Sequence, residues 1–234
     1  MYGLIGYPLG HSLSPQLFEA AFPGRRYDLL EYESFGEAVS VFRAGYRAVN
    51  VTAPFKEEAF RVADVRDDVC ARIGAANILV NDGGLIRAFN SDYDAVRELL
   101  EGIFALCPSR RVLVVGAGGA GKAAAVAAVD CGCEVFVANR TFSRAEEFCR
   151  RCGGMTPLAL DDDISSFDIV VYTLPAKVSL TGLRGDAFFI EANYRDPSFA
   201  DFISEGRYLG GERWLRAQAK AGFERMALYM EKKL

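Results

Sequence analysis

Residues 111–121 read Arg-Val-Leu-Val-Val-Gly-Ala-Gly-Gly-Ala-Gly. The β-branched and leucine residues of Arg111–Val115 are typical of a strand that is buried on both faces. The strand leads into Gly-x-Gly-x-x-Gly at 116–121 and an alanine-rich segment, 119–129, that we expect to be helical. A glycine-rich turn in this position is the first unit of a doubly wound parallel sheet. The stretch therefore predicts a Rossmann domain.

The glycines of this turn have separate physical tasks. Gly116 permits the tight turn, Gly118 leaves room for a pyrophosphate against the backbone, and Gly121 lets the helix pack closely on the sheet. Unpaired N–H groups at the helix N-terminus attract phosphate. The turn predicts a dinucleotide site, and the alternative is a bare strand–turn–helix. The predicted contacts are Gly116, Ala117, Gly118, Gly119, Ala120 and Gly121.

The end of the next strand, Glu134–Ala138, distinguishes NAD from NADP. An NAD-binding chain usually places an acidic residue there, about 20 residues after the turn, to hold the ribose 2′-hydroxyl. Here the segment reads Asn139-Arg140-Thr141, with Arg144 one turn later. A guanidinium attracts a 2′-phosphate, which a carboxylate would repel. We therefore predict NADP(H) bound by these four residues; the alternative is a surface arginine that faces water.

Apolar runs of strand length alternate with helical segments elsewhere, which indicates an α/β protein. Strands are predicted at 2–7, 26–32, 48–51, 76–81, 85–90, 111–115, 134–138, 169–173 and 188–192, and helices at 14–21, 56–62, 94–104, 119–129, 143–151 and about 212–232. Asn-Asp-Gly-Gly at 81–84 predicts a hairpin turn. We assign 1–91 with 212–234 to a substrate-binding and catalytic domain and 92–211 to the NADP-binding Rossmann domain, and expect the last helix to return to the first domain.

Composition restricts the class of partner. The 234 residues carry a formal net charge of −4, which disfavours non-specific binding to nucleic acid. The opening residues do not resemble a secretory leader, and no run approaches the about 18 apolar residues of a membrane helix. We therefore expect a cytoplasmic protein, monomeric or homodimeric, that binds a small molecule and neither nucleic acid nor membrane.

Six cysteines in a chain without a leader are typical of reduced thiols. Cys131, Cys133, Cys149 and Cys152 could approach one another at the amino edge of a Rossmann sheet and hold Zn²⁺. We favour unliganded thiols and predict no metal.

Four polar clusters follow apolar runs in the first half, at 11–15, 50–56, 74–77 and 90–92. Ligands of open α/β sheets bind at the carboxyl ends of strands, so we expect these clusters to share one site. So many hydroxyl and amide groups suit a polyol. Each cluster alone could consist of ordinary caps and turns; Ser14, directly before Pro15, is an example.

Lys56 and Asp92 are the candidates for proton transfer. Reduction of a carbonyl by hydride needs a proton donor at the forming alkoxide, and a lysine partly removed from water can supply one. An adjacent carboxylate would hold the orientation of the amine. The alternative for Lys56 is a solvated lysine at a helix start. His11, the only histidine, we expect to support its loop rather than to act in catalysis.

Together these segments resemble the shikimate dehydrogenase family along nearly the whole chain. The family patterns G-x-P-x-x-H-S-x-S-P, N-V-T-x-P-F/Y-K, G-A-x-N, N-T-D, G-A-G-G-A, N-R-T, D-x-x-Y-x-P and Q-A are matched in order at 6–15, 50–56, 74–77, 90–92, 116–120, 139–141, 191–197 and 218–219, with Ser91 for threonine, Glu191 for aspartate and the proline shifted by one. The resemblance implies reduction of 3-dehydroshikimate to shikimate by NADPH, a step toward aromatic amino acids.

The resemblance also implies residue roles. Lys56 would be the acid–base residue and Asp92 its partner. The substrate carboxylate would be held by Ser12, Ser14 and Tyr194, and the ring hydroxyls by Thr52, Asn77, Asp92 and Gln218. Near the nicotinamide would lie Asp68, Ala192 and Gly211.

Three segments depart from the family pattern. Tyr172-Thr173-Leu174 replaces Asn-Ala-Thr, Ala95 replaces a glycine, and 211–215 read Gly-Glu-Arg-Trp-Leu in place of G-x-G-M-L. We expect the last change to bring larger groups toward the nicotinamide pocket.

Three other functions are alternatives to shikimate dehydrogenase. One is a dehydrogenase for quinate or an amino-shikimate, and another is a catalytically silent NADP-binding regulatory paralogue. The third is a folate-linked methylene dehydrogenase, which the Ser-x-Ser loop disfavours.

Overall fold

The computed structural model describes residues 1–10, 12–108 and 110–230, so that the expectation for His11 lies outside the described residues. The chain divides into two compact units, Met1–Ser91 with Gln218–Leu234 and Asp92–Ala217. The second boundary falls between 217 and 218, whereas the sequence-based division places it between 211 and 212. Trp214 is hydrogen-bonded to Asp92, so the start of the last helix groups with the second unit.

The first unit is built on a mixed sheet. Its strands are β1 (Tyr2–Gly6), β2 (Tyr27–Glu31), β3 (Ala48–Val51), β4 (Val65–Arg66), β5 (Ile78–Asp82) and β6 (Leu85–Phe89), in the order β2-β1-β3-β5-β6-β4. β1 is parallel to β2 and β3, whereas β5 is antiparallel to β3 and to β6. The carboxyl ends of β1, β3 and β6 therefore lie at one edge of the sheet, together with the start of β5.

The helices of this unit are α1 (Ser14–Ala21), α2 (Phe35–Gly45), α3 (Lys56–Val62) and α4 (Asp68–Ile73). The predicted hairpin is confirmed, because β5 and β6 pair with Asp82 opposite Leu85. Gly83 and Gly84 form its two-residue turn with φ of 65° and 94°, which glycine adopts without steric cost.

Both faces of the first sheet are covered, because successive side chains of a strand point to opposite sides. One hydrophobic cluster includes Ile5, Phe42, Val49 and Leu79. The other includes Phe18, Ala48, Ile78, Phe223 and Met226. Since Phe223 and Met226 belong to the last helix, the prediction that this helix returns to the first domain is confirmed.

The second unit is built on a parallel sheet. Its strands are β7 (Arg111–Val115), β8 (Glu134–Ala138), β9 (Met155–Leu158), β10 (Ile169–Tyr172), β11 (Phe188–Glu191) and β12 (Tyr208–Leu209), in the order β12-β11-β10-β7-β8-β9. The remaining helices are α5 (Ser91–Phe104), α6 (Gly119–Asp130), α7 (Phe142–Cys152) and α8 (Gly211–Met230). The strand order reverses at β7, which is the topology of a Rossmann domain and confirms that prediction.

Some elements were missed or misplaced by the sequence. The elements α2, α4, β4, β9 and β12 were not predicted. In α2 the buried residues Phe35, Ala38 and Phe42 have helical spacing, so its signal was present in the sequence. The start of α5 predicted at 94 is wrong: the helix begins at Ser91, whose N–H donates to Asn77 Oδ1 at 2.8 Å. A cap supplied by a distant residue leaves no local signal.

The part of the chain that the structure describes contains no helix with both the length and the apolar character that crossing a membrane requires.

We predict that Phe18→Ala lowers the free energy of unfolding by about 3–5 kcal/mol. The Phe18 side chain is 0% exposed. Its ring stacks on the ring of Tyr27 with 4.5 Å between the ring centres, and it meets the ring of Phe223 edge-on with 5.3 Å between the centres. Urea denaturation of the purified protein measures the change. As a control, Leu228→Ala should change it by less than about 0.5 kcal/mol, because that side chain is 72% exposed. Equal losses in the two variants would contradict the packing described.

Candidate active site

Asn77, Ser91 and Gln218 form a hydrogen-bonded cluster at the carboxyl edge of the first sheet. The Asn77 side-chain amide donates to Ser91 Oγ at 3.0 Å and to Gln218 Oε1 at 3.4 Å, and Asn77 Oδ1 accepts the backbone N–H of Ser91 at 2.8 Å. Asn77 and Ser91 are buried, and Gln218 is half-buried. The cluster, which we call the amide cluster, offers oriented polar atoms of the kind that bind hydroxyl groups.

Lys56 lies at the same edge. It is the first residue of α3 and is half-buried. Its carbonyl oxygen accepts the N–H of Ala76 at 2.8 Å, which attaches the start of α3 to the residue before Asn77. Thr52 directly follows β3, and its N–H donates to Ile5 O at 2.8 Å. The first bond joins the segments of Lys56 and Asn77, and the second joins Thr52 to the end of β1.

The two serines predicted to bind a carboxylate lie in the segment that runs from β1 to the first turn of α1. Ser12 Oγ accepts the N–H of Ser14, the first residue of α1, at 3.2 Å, and both serines are half-buried. The side chain of Asn50 in β3 joins two strands of the sheet, because its Oδ1 accepts a hydrogen bond from the hydroxyl of Tyr27 in β2 at 2.9 Å. Burial raises the pKa of Tyr27, which keeps this hydroxyl protonated as the donor.

In the second unit, the glycine turn between β7 and α6 has the predicted geometry. Gly116 has φ of 115°, and a Cβ at Gly121 would lie 2.7 Å from the Gly116 carbonyl carbon. A Cβ at Gly118 would meet nothing within 4 Å. Close packing at Gly121 and open space at Gly118 are the two features that a pyrophosphate site at this turn requires.

The segment after β8 contacts this turn. Asn139 Oδ1 accepts the N–H of Ala117 at 3.1 Å, and its amide donates to the carbonyl of Thr141 at 3.0 Å. Arg140 and Arg144 are exposed, one on each side of the α7 N-terminus. Asn139 therefore fixes the turn while the two guanidinium groups remain accessible from solvent.

Ala192 and Gly211 lie against each other, because a Cβ at Gly211 would be 2.7 Å from the Ala192 carbonyl oxygen and 2.6 Å from the N atom of Tyr194. Tyr194 is half-buried, with Arg195 over its ring at 5.9 Å. Asp68 is exposed at the start of α4 and belongs to the first unit, whereas Ala192 and Gly211 belong to the second.

Glu191, which the sequence did not single out as functional, holds the loop of Ala192 and Tyr194. Its carboxylate is fully buried and accepts the N–H of Ser198 at 2.7 Å, the N–H of Phe199 at 3.3 Å and the hydroxyl of Tyr208 at 2.8 Å. Burial and this carboxylate raise the pKa of Tyr208. The sequence did contain a signal for this role, because Glu191 is a single acidic residue at the end of an apolar strand.

Asp92 is 3% exposed in the first turn of α5. The indole N–H of Trp214 donates to its Oδ1 at 3.0 Å. The departure at 214 therefore places a hydrogen-bond donor on the predicted catalytic carboxylate, and Arg213 beside it is exposed. Lys56 belongs to the first unit and Asp92 to the second, so that their pairing stays a prediction.

The departure at 172–174 has a packing explanation. Tyr172 is fully buried; its hydroxyl donates to the Ala176 carbonyl at 2.6 Å and accepts the N–H of Val178 at 3.1 Å. Thr173 Oγ1 donates to the carbonyl of Val115 at 3.0 Å, beside the glycine turn. These side chains anchor the loop after β10.

All six cysteines are free thiols. Burial is the main cause that raises the pKa of Cys133 and of Cys149 to about 11. Within residues 1–10, 12–108 and 110–230, no group of three or more His, Cys, Asp or Glu side chains is placed to hold a metal ion. The zinc alternative for the four cysteines at 131–152 therefore finds no support in the structure.

Comparison with known proteins identifies two family regions. Residues 4–79 match the shikimate dehydrogenase substrate binding domain, and residues 98–182 match the shikimate / quinate 5-dehydrogenase family. The NADP(+) shikimate dehydrogenase of Halobacterium salinarum is 40% identical over 169 residues, which are 69% of this chain and 63% of that relative. This match spans less than two thirds of the relative's length.

Two further proteins are similar over more of their length. The NADP(+) shikimate dehydrogenase of Syntrophobacter fumaroxidans is 34% identical over 231 residues, 90% of this chain and 79% of the relative. The crystal structure of shikimate 5-dehydrogenase from Thermus thermophilus, in complex with NADP(H) and shikimate, superposes with a TM-score of 0.82. It is 26% identical, with 96% of this chain and 92% of that chain covered.

We predict opposite outcomes for alanine at two glycines of the turn. Gly121→Ala should lower the free energy of unfolding by about 1–3 kcal/mol or more, because its Cβ overlaps the Gly116 backbone. Gly118→Ala should cost less than about 1 kcal/mol, since the new methyl group enters open space and only the glycine preference of the α6 N-cap is lost. Thermal and urea denaturation of both variants measure this contrast, and similar stabilities would contradict the turn geometry.

Proposed function

The chain belongs to the shikimate dehydrogenase family, and we propose that it reduces 3-dehydroshikimate to shikimate with NADPH. The observation that carries the proposal is the amide cluster at the sheet edge that also holds Lys56. A cyclic polyol acid needs several fixed donors and acceptors, and this edge supplies them from segments that are distant in the sequence. The glycine turn of the second unit fits a dinucleotide, because it leaves space at Gly118 where a phosphate would approach.

We assign the substrate contacts by the chemistry of each group. Ser12 and Ser14, with Tyr194, would bind the substrate carboxylate through hydroxyl donors. Thr52, Asn77, Asp92 and Gln218 would bind the ring hydroxyls. The amide cluster supports this assignment, because Asn77 and Gln218 are held in one orientation before any ligand arrives, which lowers the entropic cost of binding.

Proton transfer is assigned to Lys56. NADPH, when bound, supplies a hydride to the carbonyl carbon of the substrate. The Lys56 ammonium gives a proton to the carbonyl oxygen as its negative charge develops, and the neutral amine takes a proton from the hydroxyl in the reverse direction. Asp92 would orient the amine and bind the same hydroxyl. Such acid–base catalysis typically contributes about 10²–10⁴-fold in rate.

We assign NADP(H) to the second unit through Asn139, Arg140, Thr141 and Arg144. The two exposed guanidinium groups beside the α7 N-terminus are opposite in charge to the dianionic 2′-phosphate, which a guanidinium can bind through two parallel hydrogen bonds. The nicotinamide end would lie near Ala192 and Gly211, with Asp68 contributing from the first unit.

Free thiols at all six cysteines support a reducing compartment, and we propose the cytoplasm. A monomer or a homodimer stays a prediction.

We predict that the protein oxidises shikimate with NADP⁺ and that Lys56→Ala lowers kcat by about 10²–10⁴-fold, with a smaller change in KM. The reason is that the amine acts on charge that exists only in the transition state. Initial rates of NADPH formation measure both parameters. Lys220→Ala is the matched control, because Lys220 is an exposed lysine of α8.

Three outcomes would count against this assignment. An unchanged kcat in Lys56→Ala would remove Lys56 from the mechanism. Faster turnover of quinate than of shikimate would favour the quinate alternative. Binding of NADPH without any oxidation of shikimate would favour a regulatory protein.

We predict that Arg140→Ala raises KM for NADP⁺ by roughly 10- to 100-fold, because it removes charge-assisted hydrogen bonds to the 2′-phosphate. KM for NAD⁺, which lacks this phosphate, should change little. Arg150→Ala, an exposed arginine at the other end of α7, is the control. Parallel titrations with the two cofactors measure the effect, and an equal loss with both would show that Arg140 does not read the 2′-phosphate.

A further inference from the structure

The indole of Trp214 is placed on Asp92 by the way the start of α8 packs. Gly211, the first residue of the helix, lies so close to the 192–194 backbone that a Cβ there would be 2.6 Å from the Tyr194 N atom. Trp214 and Ala217 follow at three-residue spacing on the same helix face, and both are buried. This face directs the indole inward, where its N–H lies 3.0 Å from Asp92 Oδ1.

In the hydrogen bond between Trp214 and Asp92, the donor and the acceptor are fixed by chemistry. An indole N–H can only donate, so the carboxylate of Asp92 must accept. A hydrogen bond to an ionised group is shorter and stronger than a neutral one. Both side chains are 3% exposed, so that water competes little for either of them.

We propose that Trp214 is a positioning residue: it holds Asp92 in place and does not itself touch the reacting atoms. This inference rests on the proposed function, in which Asp92 binds a ring hydroxyl and orients Lys56. The bond to Oδ1 restricts rotation of the carboxylate about its Cβ–Cγ bond. The carboxylate therefore presents one fixed arrangement of its two oxygens to the substrate.

The family pattern has methionine at this position, and a thioether cannot donate a hydrogen bond. This chain therefore holds the carboxylate with a donor that a methionine would not provide. Trp214→Met and Trp214→Phe both remove the donor and keep an apolar side chain, one flexible and the other aromatic. A shared effect of the two variants traces to the lost N–H, whereas a difference between them traces to shape.

The contact can be tested without any substrate, because Trp214 is the only tryptophan of the chain. The ¹⁵N-labelled protein gives a single indole N–H resonance. In the unliganded protein, Asp92→Ala should shift this proton resonance upfield, because the charged acceptor is lost. An unchanged resonance would overturn the proposed contact whatever the catalytic activity is.

The functional test is kinetic. Trp214→Phe and Trp214→Met should each raise KM for shikimate roughly ten-fold, with KM for NADP⁺ within about two-fold of wild type. A change in the NADP⁺ KM alone would overturn the proposal and show that the indole serves the cofactor. A lower melting temperature with unchanged shikimate KM would also overturn it, because the role would be structural only.

A double-mutant cycle checks that Trp214 acts through Asp92. Calorimetric titration with shikimate measures binding without turnover. Trp214→Phe should weaken binding in the wild-type background and cause no further loss in Asp92→Ala, because the carboxylate that it orients is absent. Equal losses in both backgrounds would overturn the inference. Absence of shikimate binding and turnover in the wild type would instead refute the proposed function, so the two failures are distinguishable.

Discussion

The hydrogen bond from the Ser91 N–H to Asn77 Oδ1 is the interaction on which the site depends. It caps the start of α5 with a residue that precedes β5, and so joins two segments that are distant in sequence. Asn77 also contacts Gln218, and the neighbouring Ala76 N–H binds the carbonyl of Lys56. Residues 76–77 therefore hold the segments of Lys56 and Gln218 and cap the helix start at Ser91.

Such a cluster is costly to bury unless every polar atom has a partner, because desolvated donors and acceptors lose their bonds to water. Within the described ranges, no buried side-chain nitrogen or oxygen lacks a hydrogen-bond partner. Asn77, Glu191 and Asp92 each have partners, and each holds a loop or helix start that carries candidate ligands. Satisfied networks of this kind are rigid and hold their polar side chains in one arrangement.

Much of the fold followed from local patterns. The β7–α6 turn, the hairpin at Gly83-Gly84 and the strands Ala48–Val51 and Arg111–Val115 were predicted because their signals lie within a few neighbouring residues. Some elements were missed because tertiary contacts form them. Short edge strands such as β4 and β12 form only because a neighbour pairs with them. The first turn of α5 was missed because its cap comes from Asn77.

The sequence by itself determined the Rossmann turn and the residue types available at each strand end, because glycine spacing and side-chain chemistry are properties of short segments. Only the tertiary structure decided which of those groups meet: that Asn77 reaches Ser91 and Gln218, that Glu191 holds the following loop, and that the indole of Trp214 binds Asp92. The physical reason is that these contacts join residues that are not neighbours in the sequence. A hydrogen bond between residues separated by 122 positions depends on packing of whole helices, which no local pattern encodes.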